Sequence, residues 1–284
     1  MKVTGVLPLF LPLCRRLWPG KLAGLSVALL KATALEAAIL AGHLLLYPTG
    51  LTQERRAHPA LPGDDRAAQL PVRPEPPVVL LHGFIDNRSV FVLLRRSLAQ
   101  HGRQWVESLN YSPLICDIRT AAELLDRHIE EVCDRTGSGK VDIVGHSLGG
   151  LIARYYVQCL GGDLRVRTLV TLGTPHGGTR AAPLANAHPI VRQMRPGSEV
   201  IEELTQPAPG CRTRFVSFWS DLDTVMVPLE TAALDHPDLD AENVRVSGIG
   251  HLALPVHPAV AAGVREALDS TRSREQDSGG LTVA

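Results

Sequence analysis

The chain lacks an excess of charge of either sign: Lys and Arg number 29 together, and so do Asp and Glu. With no basic field to hold a phosphate backbone and no acidic tail, nucleic acid is not an expected partner. It also lacks any C-x-x-C pair. Its five cysteines, Cys14, Cys116, Cys133, Cys159 and Cys211, are scattered, which argues against a zinc site or a redox dithiol. An odd count leaves disulfides open; a Cys116–Cys133 bridge is one option, and buried thiols are the expectation. No metal-ligand spacing occurs elsewhere, so neither a metal nor an organic cofactor is expected. No internal repeat is visible, which sets repeat architectures aside.

What is present suffices for one sizeable core: 284 residues, 45% hydrophobic and 20% charged. Residues 1–51 stand apart. A basic start (Lys2, Arg15, Arg16, Lys21) precedes "LAGLSVALLKATALEAAILAGHLLLY" at 22–47, long enough for a bilayer but interrupted by Lys31, Glu36 and His43, which are costly at mid-membrane. In order of preference it reads as a membrane anchor or membrane-lying helix, as a signal peptide ending at Ala-Thr-Ala, or as a helix packed on the domain. Residues 52–76 are polar and proline-rich, as a linker is, and 270–284 read as a disordered tail.

Between linker and tail, at 77–269, short apolar runs alternate with helical patterns. The runs at 77–83, 103–110, 140–146, 166–173, 214–220 and 243–248 predict strands, and their spacing leaves room for crossover helices. The expected fold class is therefore α/β, with a mostly parallel central sheet flanked by helices. The clearest helix is marked by Ile118, Ala121, Ala122, Leu125, Ile129 and Val132 at helical spacing, closed by Gly137.

One stretch asks for chemistry. In "VDIVGHSLGGLIARYY" at 141–156, an apolar strand runs into Gly-x-Ser-x-Gly and then into a helix whose packing face is Leu151, Ile152 and Tyr155. A serine hydroxyl needs a base to take its proton and donors to hold the oxyanion formed on attack. Glycines on either side of a sharp turn let Ser147 protrude, and the helix start aims its N–H groups at the same place. Ser147 is the candidate nucleophile, and the Leu148 N–H the first oxyanion donor.

Over 77–268 the chain resembles the bacterial lipases and esterases of the α/β-hydrolase superfamily, through "LHGF" at 81–84, "GHSLGG" at 145–150, "TLGTPHGGT" at 171–179 and "GH" at 250–251, in that order. The resemblance implies that the backbone N–H of Phe84 is the second oxyanion donor. It implies a base after the last strand, which is His251 in "SGIGHLALP", and an acid after the strand before it. There "FWSDLDTVMVP" offers Asp221 and Asp223, and the lipase pattern favours Asp223. It gives His176 a structural or substrate-lining role and makes 180–210 a short cap.

The implied activity is cleavage of carboxylic esters of acyl lipids through an acyl-enzyme, with the protein at a membrane surface or exported from a bacterium. An acyltransferase or thioesterase on the same fold is the alternative, followed by a non-catalytic membrane-associated binding protein.

Overall fold

Each of the six apolar runs overlaps a strand, the last strand starting at Asp240, three residues before its run, and the six form one sheet in which every pairing is parallel. The computed structural model describes residues 27–51, 75–112, 116–181 and 188–279. The basic start with Cys14, most of the linker, Leu184 in the cap segment and the last five residues lie outside them.

The strands are β1 (Val78–Leu81), β2 (Val106–Leu109), β3 (Val141–His146), β4 (Val166–Leu172), β5 (Arg214–Ser220) and β6 (Asp240–Val246), in the order β2-β1-β3-β4-β5-β6. β3 and β4 are buried at every position because both faces of the sheet are covered, which is why they read as continuous apolar runs. Side chains alternate between two cores. Val79, Leu81 and Ile143 face one; Val78, Leu80 and Val144 face the other.

On the first face lie α3 (Ile118–Thr136) and α4 (Leu148–Cys159), with the short α5 (Pro189–Gln193) and α6 (Glu199–Glu203); on the second lie α2 (Val92–Gln100) and α7 (Pro258–Gly279). α3 begins where the Asp117 carboxylate accepts the Thr120 N–H at 2.8 Å and ends at Gly137 in the left-handed region, φ 67°.

The segment expected as a short cap forms α5 and α6. Their apolar side chains Ile190, Val191, Val200 and Ile201 are buried with α3 and α4, while His188 meets the ring of Phe84 edge-on, with centroids 5.6 Å apart.

Two expectations need correcting. The apolar N-terminal run is a helix, α1 (Val27–Leu51), and it packs on the domain, the least favoured of its three readings. The reason lies in its interruptions: Glu36 and His43 each have partners in the domain. No helix among the described residues is long and apolar enough to cross a membrane. Second, the chain does not become irregular at residue 270, because α7 continues to Gly279; residues 270–278 contain no Pro or Gly to stop a helix. Cys116, Cys133, Cys159 and Cys211 are free thiols, as expected over a Cys116–Cys133 bridge, though of these only Cys133 is buried.

Candidate active site

β3 ends at the centre of the sheet, and Ser147 turns the chain from it into α4. Ser147 has φ 53° and ψ −120°, the only positive φ at a non-glycine among the described residues. Such a conformation costs about 1–3 kcal/mol and persists only where its surroundings impose it. Here the Ser147 N–H donates to the Leu172 carbonyl at 2.9 Å, and the Thr174 hydroxyl donates to the Ser147 carbonyl at 2.9 Å.

The neighbouring glycines are required by contact. A Cβ on Gly145 would sit 2.5 Å from the Gly150 N and Cα, and one on Gly149 would run into the Leu81 carbonyl oxygen and lie 2.6 Å from that of His82. Helix start, strand end and the loop after β1 thus meet backbone to backbone.

Leu148 is the first residue of α4, so its N–H has no acceptor within the helix. Across from it runs the loop after β1. A Cβ on Gly83 would be 3.4 Å from the Ser147 Cβ, so the loop that carries Phe84 passes close to Ser147 at Gly83. His82 is buried and stacks on Tyr111 with centroids 4.4 Å apart, and the Tyr111 hydroxyl donates to the His82 carbonyl at 2.5 Å. The loop is therefore held from both sides.

His251, beyond β6, comes up against His146, the residue before Ser147, whose Nε2 lies 3.2 Å from the His251 carbonyl oxygen. Its Nδ1–H donates to Asp223 Oδ2 at 2.7 Å, and Asp223 Oδ1 accepts the N–H groups of Val225 at 2.9 Å and Met226 at 3.2 Å. Burial opposes ionisation of Asp223, but His251 and those two N–H groups outweigh it and hold the carboxyl below its usual range. Burial likewise pushes the His251 imidazole down, yet Asp223 beside it, with Glu36 and Asp86 further off, leaves it above the ordinary histidine value.

The structure separates the two candidate acids. Asp221 points elsewhere, accepting the Gly248 N–H at 3.1 Å and pairing with Arg245 at 3.3 Å. His176 also lies apart from the Asp223–His251 pair, with its Nε2 3.0 Å from the Thr171 hydroxyl and Arg154 donating to its carbonyl at 3.1 Å. Burial and the Arg154 charge drive its ring well below the normal histidine value, as suits a structural residue.

Sequence reasoning missed a group of buried ionisable residues behind the site. Asp86, on the Phe84 loop, has His43 Nδ1 at 3.2 Å and His146 Nδ1 at 3.5 Å. Burial opposes its ionisation, but the two imidazoles hold it well below the carboxylate range. The ring of His146 stands 4.9 Å from that of His251. The available signal was the pair of awkward polar residues, Glu36 and His43, in an otherwise apolar helix.

Residues 77–208 match the family model of the palmitoyl protein thioesterases. Triacylglycerol lipases of Pseudarthrobacter phenanthrenivorans and Burkholderia plantarii are each 32% identical over 113 residues, 37% of this chain and 35% and 31% of theirs. The chain thus spans about a third of the length of the curated relatives it matches. Among solved structures, Aspergillus fumigatus lipase B aligns with a TM-score of 0.61 at 17% identity, over 69% of this chain and 52% of that one. The all-parallel sheet and the likeness to that structure show an α/β-hydrolase fold.

Proposed function

We propose that the protein is a serine hydrolase that cleaves carboxylic esters of acyl lipids. The observation that carries this reading is the strained Ser147 at the head of α4, whose chain neighbour His146 has its ring 4.9 Å from that of a buried His251, itself held at Nδ1 by Asp223. Ser147 Oγ attacks the ester carbonyl and gives its proton to His251 Nε2, and Asp223 stabilises the imidazolium that results. The N–H groups of Phe84 and Leu148 hold the tetrahedral oxyanion. As the intermediate collapses, His251 returns the proton to the departing alcohol, leaving an acyl group on Ser147. Water, deprotonated by His251, then releases the acid.

The palmitoyl protein thioesterase match favours a second reading, in which the same acyl-enzyme forms from a thioester. Both are tested together: the full chain is assayed on p-nitrophenyl esters of increasing acyl length and on the matching acyl thioesters, beside Ser147→Ala. Turnover by wild type and none by the variant supports the nucleophile, and the better substrate series names the class. An active variant refutes the mechanism.

The reading includes contact with a lipid surface and a membrane-associated or exported location. Its support is the outer side of α1, where Leu30, Leu35, Leu44 and Leu45 are exposed, with Ile85 exposed on the Phe84 loop.

A further inference from the structure

We propose that Glu36, carried by α1, is a positioning residue for His251, so that the N-terminal helix is a working part of the site. This rests on the reading of His251 as the general base.

A lone carboxylate within "ATALEAAIL" has to be accounted for. Glu36 Oε2 accepts the Leu252 N–H at 3.0 Å and Oε1 accepts the Ala253 N–H at 2.9 Å. These are the two residues that follow His251. On its other side, a Cβ on Gly250 would run into the Glu36 carboxyl. One side chain therefore grips the backbone just after the histidine and requires a glycine just before it. Charge-assisted hydrogen bonds of this kind are the strong ones, and a matched pair fixes orientation as well as distance.

The other end of α1 is tied to the opposite side of the site. His43 Nδ1 lies 3.2 Å from Asp86, the Tyr47 carbonyl accepts from Asn87 at 2.8 Å, and the Gly50 carbonyl accepts from Arg88 and from Asn110, each at 3.1 Å. Asp86, Asn87 and Arg88 continue the loop of Phe84. A single helix thus joins the loop of Phe84 to the loop of His251, the two parts whose relative placement governs attack in the proposed mechanism. Neither loop is near α1 in sequence; the bond from Glu36 to Ala253 closes a separation of 217 residues.

Glu36 also acts through charge. The charged and titratable groups around His251 are Asp223 on its Nδ1, His146 with its ring 4.9 Å away, Asp86 behind His146, and Glu36 from α1. Burial keeps His146 below the normal histidine value. Removing the Glu36 charge therefore lowers the pKa of His251, and removing its acceptors frees the loop.

The test uses full-length Glu36→Gln, Glu36→Ala and Gly250→Ala. In ester hydrolysis, Glu36→Gln is expected to lower kcat about tenfold with KM unchanged. It should also move the acid limb of the pH profile to lower pH. Gly250→Ala should match Glu36→Ala, and the double variant should be no worse than either single one, since the added methyl displaces a carboxylate already gone. The His251 ring titration, followed by NMR, needs no turnover; a lower midpoint in Glu36→Gln supports the positioning role even if the natural substrate is not an ester. A Glu36→Gln protein with reduced thermal stability but wild-type kcat, acid limb and ring titration would show that Glu36 only anchors the helix, and the proposal fails. Should Glu36→Ala not fold, Glu36→Gln and Gly250→Ala decide.

Discussion

At the scale of single residues, two aspartates two positions apart have unrelated tasks. Asp223 turns inward to His251, while Asp221 caps a loop and meets the exposed Arg245. Asp223→Asn is accordingly expected to reduce kcat by about 10⁴-fold, because an amide can no longer hold the histidine in the required tautomer. Asp221→Asn should leave kcat nearly unchanged; steady-state assays of both variants check this. The pH dependence follows from the same pair. As the proposed base, His251 must be neutral to accept the Ser147 proton, and its pKa is raised above the ordinary histidine value of about 6.5. Activity should therefore fall with decreasing pH through a midpoint above that value, and a limb centred below it would contradict the assignment.

At the scale of elements, the join between β3 and α4 has no room for a side chain. Gly149→Ala drives a methyl against the carbonyls of Leu81 and His82, which are backbone and cannot swing aside. A loss of about 1–3 kcal/mol in a urea unfolding experiment is expected, the cost of overpacking a filled interior. This tightness was readable in "GHSLGG", as was the Gly137 stop of α3, because a glycine at a turn or helix end has a local cause. The behaviour of α1 was not readable. Its apolar run is long enough to suggest a membrane segment, and the partners of Glu36 and His43 lie far along the chain. Its exposed leucines give a separate prediction: Leu44→Ser with Leu45→Ser should reduce flotation with phospholipid vesicles while leaving turnover of a short soluble ester intact.

At the scale of the whole molecule, a buried ionic network stitches the sheet to the last helix. Arg167 makes a two-pronged pair with Asp142 at 2.9 and 2.5 Å and also donates to the Leu268 carbonyl at 3.1 Å. Arg103 lies 3.4 Å from Asp142 and 2.6 Å from Asp269. Asp142→Ala takes from the buried Arg167 its two-pronged carboxylate partner and should cost about 3–5 kcal/mol, read from the urea midpoint; a loss under about 1 kcal/mol would mean that water or other carbonyls replace the carboxylate.

Strand positions, the α/β class, the longest crossover helix and the serine turn follow from the sequence alone, because each is set by periodicity or by glycine within a few residues. The position of His251, after the last strand and just behind Gly248 and Gly250, is likewise a local feature of the sequence. Which aspartate it meets, and what the polar residues of α1 are for, only the tertiary structure decided. Both depend on contacts between segments distant in sequence, Asp223 with His251 and Glu36 with the backbone beyond it, and such contacts leave no local pattern to read.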